Sequence, residues 1–218
     1  MSSVSARSAA ILHYWFGELD DSSVLDQTVE PFHTYYTRWY GKDLAIDTEI
    51  RAAFEPDIRA VARAEEGWQA ELARWAAVPN GALGLVLLLD QLPRNMYRGT
   101  AEMCDFDALA LTATLNAQRV LADAALPVCW RMFLSVPLMH VENVTLQHEA
   151  VRQFEALVER ANVQSPGQAG FMAYALDYAR RHRAVVAEFG RFPHRNAILG
   201  RVSTAAEGVY LGREGAGF

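Results

Sequence analysis

Of the 20 basic side chains in this 218-residue sequence, only Lys42 is a lysine. A codon bias gives such a ratio. It also leaves every other cation as a planar, five-donor guanidinium suited to carboxylates and phosphates. Cysteine is nearly absent: Cys104 and Cys129 form no CxxC or ligand-spaced set. That excludes a disulfide framework and a zinc signature, and reads as two reduced core thiols in a cytoplasmic protein. No apolar run reaches the ~18 residues of a membrane span. The early run "AAILHYWFG" is short and aromatic and lacks a small-residue cleavage site, so it makes a poor signal peptide. Acids outnumber bases, 26 to 20, for a net charge of −6 and a pI near 5.5. This balance speaks against nucleic-acid and anionic-membrane partners, which need a positive field. Alternating strand patterns are missing. So are the G-x-S-x-G elbow, S-x-x-K, the P-loop, G-x-G-x-x-G and H-E-x-x-H, and no cofactor is expected.

What is present is helical periodicity. Val24 to Tyr40 repeats aromatic and aliphatic residues at three- and four-residue steps, with a start or kink expected at Pro31. A second run, from Asp47 to about Glu66, is expected to break at Pro56. Asn80 to Gln91 is apolar on almost every side, hence buried, and Pro93 should close it. Further helices are expected over Asp105 to about Ala122, Pro127 to Leu134, and Val141 to about Ala161. Ser165 should N-cap a helix with Pro166 at its first position, ending at Phe189 with Gly190 as C-cap. Thr204 and Glu207 form a capping box for a last short helix. The fold expected is all-α, roughly eight to ten helices in one domain over 1–218, with no significant sheet.

Three segments carry polar chemistry. In "LLLDQLPRNMYRG" (87–99), Asp90 falls in the expected last helical turn, where the dipole and burial both disfavour a carboxylate. It therefore needs a cationic partner, from Arg94, Arg98, Arg195 or Arg201. A buried ion pair locking a helix end is the plain alternative to a functional role, with Arg94 and Asn95 capping carbonyls. In "VPLMHVENVTLQ" (136–147), His140 and Glu142 open a helix after Pro137, where His140 stays neutral as a base and Glu142 suits the dipole. Plain capping, with Glu142 satisfying backbone N–H groups and His140 filling a turn, is the weightier alternative. In the third segment, His182 shares an apolar stripe with Phe171, Ala175, Tyr178, Val185 and Phe189, as a satisfied core histidine can. Directly after that helix come Arg191, His194, Arg195, Asn196 and Arg201, interleaved with Phe192, Pro193, Ile198 and Leu199. The apolar residues belong in a core, so the cations cannot all reach water. They need an anion, from Asp90 and Glu142 or from a ligand. An aromatic or aliphatic residue, then the pattern Pro-(His)-Arg-Asn, three residues and Gly, occurs at both 92–99 and 192–200, suggesting two loops of similar chemistry. Histidines 140, 182 and 194 with Asp90 or Glu142 have no diagnostic metal spacing, and no metal is expected.

Together, "ILHYWFG" (11–17), "ALGLVLLLDQLPRNMYRGTA" (82–101), "PLMHVENVTLQ" (137–147) and "FGRFPHRNAILGRVST" (189–204) carry a resemblance. The chain resembles the family catalogued as domain of unknown function 924, over nearly its whole length. Leu92 stands where that family usually has an aromatic. The resemblance implies a tetratricopeptide-like helical fold and supplies no activity, substrate or catalytic residue.

Two functions are expected from these residues. One is a pocket for a small anionic ligand, with Arg94, Asn95, Arg98, His182, Arg191, Arg195, Asn196 and Arg201 binding it. His140, His194, Glu142 and Asp90 would then supply acid–base chemistry. The other is an interaction module that captures an acidic peptide, its charged motifs serving as an internal salt-bridge network.

Overall fold

The computed structural model describes residues 3–217. Eleven α-helical segments follow one another, and among the described residues there is no strand. They are α1 (Val4–Phe16), α2 (Phe32–Tyr40), α3 (Leu44–Arg63), α4 (Trp68–Ala76), α5 (Gly81–Met96), α6 (Asp107–Val120), α7 (Val128–Phe133), α8 (Val136–Met139), α9 (Val144–Gln164), α10 (Ala169–Phe189) and α11 (Ala205–Leu211). Short 3-10 turns occupy Ala101–Cys104, Pro166–Gln168 and Pro193–Arg195.

The all-round apolar segment is the hub, as its composition demands. Every residue of α5 except Arg94 is buried, and α1, α3, α4, α6 and α7 pack around it. An aromatic layer from α1, α2 and α7 closes one side. Trp15 and Trp39 stack at 6.2 Å, Phe133 meets the Trp39 ring edge-on at 4.9 Å, and Trp39 Nε1 donates to the Trp15 carbonyl at 3.0 Å. Such pairs add to area burial because ring edges and faces carry opposite partial charge. The chain leaves α1 through Gly17 at φ 52°, where a Cβ would lie 2.0 Å from the Tyr35 hydroxyl oxygen. A small satellite core of Val185, Val186 and Phe192, flanked by Phe189 and Tyr210, sits at the end of α10.

Two expected breaks do not occur. α3 runs through Pro56, with Ile50, Phe54, Ile58 and Val61 buried along one stripe. α5 runs through Pro93 to Met96. A proline inside a helix costs ~3 kcal/mol. Burial of the flanking residues on both sides of Pro93, Leu92 and Met96 among them, offsets that cost. Asp90 is therefore not at the helix end. Ser165 does not N-cap α10 either: its hydroxyl donates to Asp21 Oδ1 at 2.8 Å, and α10 starts at Ala169 without a side-chain cap. The Thr204–Glu207 capping box and the Gly190 cap form as expected. α4, with its buried Leu72 and Trp75, was not anticipated. Leu199, expected in a core, is exposed, and Ile198 is half-buried.

Candidate functional site

Between the main core and the satellite core, α5, α6, the α8–α9 turn, α10 and the segment after it bring polar side chains together. The turn is fixed first. Buried Gln147 on α9 donates Nε2 to the carbonyls of Met139 at 2.7 Å and Val141 at 2.8 Å, on either side of His140. Asn143, not Glu142, caps α9, accepting from the Thr145 and Leu146 amides. His140 is thus presented rigidly to Asp90, with Nδ1 at 2.8 Å from Oδ1. Asp90 also accepts from Gln91 Nε2 at 2.6 Å and lies 3.3 Å from Arg94 Nη1.

These contacts decide protonation. Burial alone would raise the Asp90 carboxyl, but the charges of Arg94 and His140 outweigh it and hold the group far below the carboxylate range. Burial, then the charge of Arg94, pushes His140 down. At neutral pH the pair is therefore a carboxylate and a neutral imidazole. Nδ1 carries the proton and donates, which leaves Nε2 as the basic nitrogen. A carboxylate that fixes the tautomer of a histidine is the arrangement of a general base.

His182 has the same character for a different reason. Its Nδ1 donates to the Tyr178 carbonyl at 2.8 Å, and its ring centroid lies 6.1 Å from that of His140. Burial first, then the neighbouring His140, Arg195 and His194, drive it well below the ordinary histidine value. His194 is pushed down to about 4 by burial and by Arg195. The two rings flank Phe192, at 5.6 Å and 5.5 Å, and Arg195 stacks its guanidinium 4.7 Å above the same ring. Arg195 is buried. Its Nη1 donates to Asp107 Oδ2 at 3.0 Å, while its Nε, equally shielded from solvent, has no partner among the described residues. Asp107 offers its other oxygen to Arg94 Nη2 at 2.9 Å.

The remaining expected residues divide into two structural groups. Glu142 accepts from Arg201 Nη1 at 2.7 Å and Nη2 at 2.9 Å, and from the Phe192 amide at 2.8 Å. It thereby pins the α8–α9 turn to the segment after α10. Asn196 links this pair to a second one, accepting from Arg201 Nε at 3.0 Å and donating to Ser203 and Glu207. Arg191 grips Glu207 through Nε at 2.6 Å and Nη2 at 2.8 Å. These pairs draw Glu207 down to about 2. Asn95 and Arg98 face another way. Both donate to Asp47 on α3, and Arg98 also to the Gly41 carbonyl. They fasten the end of α5 to the α2–α3 connection, and Arg191 serves α11.

The structure thus gathers Asp90, Arg94, His140, His182, His194 and Arg195, with Glu142 and Arg201 alongside. Sequence reasoning missed Asp107 and Gln147. An acid in the first turn of α6 needs no special partner, since the helix dipole already favours it. Gln147 gave no signal at all. Charge within the group balances: Arg94, Arg195 and Arg201 oppose Asp90, Asp107 and Glu142. Among the described residues, no three His, Cys, Asp or Glu side chains are grouped to hold a metal ion.

A sequence model of the family described as "Bacterial protein of unknown function (DUF924)" matches residues 11–215. A solved structure of a protein of unknown function from Agrobacterium tumefaciens is similar, with a TM-score of 0.72 and 31% identity over 96% of this chain and 99% of that one. No curated protein matches. Among the described residues no helix is long and apolar enough to cross a membrane.

Proposed function

The chain belongs to the bacterial DUF924 family, which assigns no activity, and from the geometry of its site we propose that it binds a small carboxylate or phosphate together with a proton. The observation that carries this reading is Arg195: a buried guanidinium whose Nε–H has no partner among the described residues, set beside two neutral histidines. A buried donor left unmade costs ~1–3 kcal/mol, which an incoming acceptor recovers. Because three arginines already face three carboxylates, an added anion leaves an excess negative charge. His140, His182 and His194 are the groups that can offset it by taking up a proton. His140, oriented by Asp90, is the acid–base group for any turnover of the bound ligand. The free thiols Cys104 and Cys129 accord with a cytoplasmic setting.

Titration calorimetry with acetate and phosphate tests this. Affinity should rise from pH 7.5 to pH 5.5, with proton uptake visible in buffers of different ionisation heat, and should vanish in Arg195→Gln. If neither anion binds wild-type protein at either pH, the reading fails.

A second reading is a tetratricopeptide-like module for acidic peptides. The mutually packed, 21-residue helices α9 and α10 support it, as does the exposed Arg180–Arg181 pair on α10. A peptide array without enrichment of acidic sequences would remove it.

A further inference from the structure

Beside the histidines lies a cavity of about 140 Å³ that nothing above uses. Its walls include Tyr36, Tyr40, Tyr174 and Tyr178 with Met132, Met139 and Ala175, and among the described residues no charged side chain lines it. A void of ~150 Å³ with apolar walls holds one benzene ring, so this cavity has the size of a single aromatic ring. Tyrosine rings offer faces and edges for such a guest, and thioethers pack well against ring edges. The Tyr36 and Tyr174 hydroxyls lie 3.5 Å apart, while Tyr40 and Tyr174 stay exposed, so solutes can reach the cavity from that side.

Four tyrosines around a void also describe a cage for a quaternary ammonium ion. Charge placement disfavours that guest. Arg181 already sits 5.0 Å from the Tyr178 ring centroid, and a second cation there would be repelled. The opposite sign is favoured, and the wall itself points to where it would go. Tyr178 lines the cavity, its carbonyl holds His182 Nδ1, and its ring centroid is 6.5 Å from that of His182. Met139, on the other wall, directly precedes His140. Tyr178 and Met139 thus line the cavity on one side and adjoin the histidines on the other.

We propose that the ligand is a monocyclic aryl carboxylate, its ring held among the four tyrosines and its carboxylate turned past Tyr178 toward His182 and Arg195. This rests on the anion reading above and adds the substrate class. A phenyl ring with a two-carbon arm to its carboxylate, 3-phenylpropionate, serves as the probe of this class.

Calorimetry or ligand-observed NMR on the full chain, with four probes, tests it: acetate, phenol, tetramethylammonium and 3-phenylpropionate. Burying one ring should make 3-phenylpropionate about tenfold or more tighter than acetate. It should also bind tighter than phenol. Ala175→Leu, which fills the cavity, should reduce 3-phenylpropionate to the affinity of acetate and leave acetate unchanged. Tyr174→Ala, at an exposed wall position, provides a variant safe for folding and should weaken 3-phenylpropionate several-fold. Arg195→Gln should leave phenol binding intact while 3-phenylpropionate falls to the level of phenol. Acetate binding without any gain for 3-phenylpropionate overturns the inference and leaves the anion site standing. Equal affinity for phenol and 3-phenylpropionate, or tetramethylammonium binding tighter than phenol, overturns it too. Phenol binding with no response to acetate or phosphate overturns both this inference and the anion reading beneath it.

Discussion

Arg94 and Arg195 hold the two oxygens of one carboxylate, Arg94 Nη2 on Asp107 Oδ1 at 2.9 Å and Arg195 Nη1 on Oδ2 at 3.0 Å. They are also the two arginines of the repeated Pro-(His)-Arg-Asn pattern. The likeness is not one of local shape, since Arg94 lies in a helix and Arg195 in a 3-10 turn. It lies in a shared target. Asp107→Asn should therefore act in two directions. Breaking two largely buried pairs should lower unfolding free energy by ~2–4 kcal/mol in urea titrations. Removing the counter-charge should at the same time strengthen acetate binding, because Arg195 gains a vacant donor. A variant that loses stability without gaining affinity would mark Arg195 as purely structural.

The Glu142–Arg201 pair is a two-point contact between side chains each about a quarter exposed, at 26% and 25%. Glu142→Gln should cost ~1–2 kcal/mol and Arg201→Lys somewhat less, since lysine keeps the charge but loses the fork. A double-mutant cycle should return a coupling of ~1 kcal/mol. A coupling near zero would mean that the Phe192 amide, not Arg201, is what Glu142 holds.

Acid sensitivity should come in two stages. His140, His182 and His194 have folded values below the unfolded histidine value, so the unfolded chain takes up protons first as pH drops. Stability is unaffected by them above about pH 6.5 and falls as pH decreases from there, by up to ~1.4 kcal/mol per pH unit for each fully buried ring. The part due to His194 is smaller because its ring is partly exposed, and it ends near its folded value of about 4. Asp90 and Glu142 are shifted the same way but as carboxylates. Their stabilisation is intact above the ordinary carboxylate range and is lost below it. Melting temperature against pH should show both stages, and His182→Gln should flatten only the first.

Asp47 offers a control. It gathers Asn95 and Arg98 away from the histidines, so Asp47→Asn should destabilise by ~1–2 kcal/mol with acetate affinity unchanged. Altered affinity would place Asn95 and Arg98 back in the site, as the sequence pattern had them.

Gly17→Ala should be among the most damaging surface-loop changes. Its φ of 52° disfavours any side chain, and the new methyl would meet the Tyr35 hydroxyl. A loss of ~1–3 kcal/mol is expected in thermal unfolding, largely recovered by pairing the change with Tyr35→Phe if the clash dominates over backbone strain.

Helix content and order were legible because α9 and α10 carry helical periodicity, α5 is an unbroken apolar run, and Gly190 and Thr204 mark clean termini for α10 and α11. Two proline positions misled, because local rules for Pro56 and Pro93 gave way to burial on both sides. The site was half legible. His140, Asp90, His182 and Arg195 stood out as charge among apolar residues. Their pairings did not, since which carboxylate meets which guanidinium is fixed only by packing. Asp107 stayed hidden because a helix start accounts for it, and Asn95 with Arg98 looked like site residues because a helix closed at Pro93 would have left them in a loop beside Asp90, whereas α5 runs on to Met96 and turns them toward Asp47.

With α5 buried all round, Asp90 and Arg94 ride on the part of the molecule least able to move. Asp90 cannot swing to meet a guest without displacing the five helices packed around α5. For the proposed ligand, the Asp90 side of the site is therefore expected to be pre-formed, with discrimination expressed in how long a ligand stays rather than how fast it arrives.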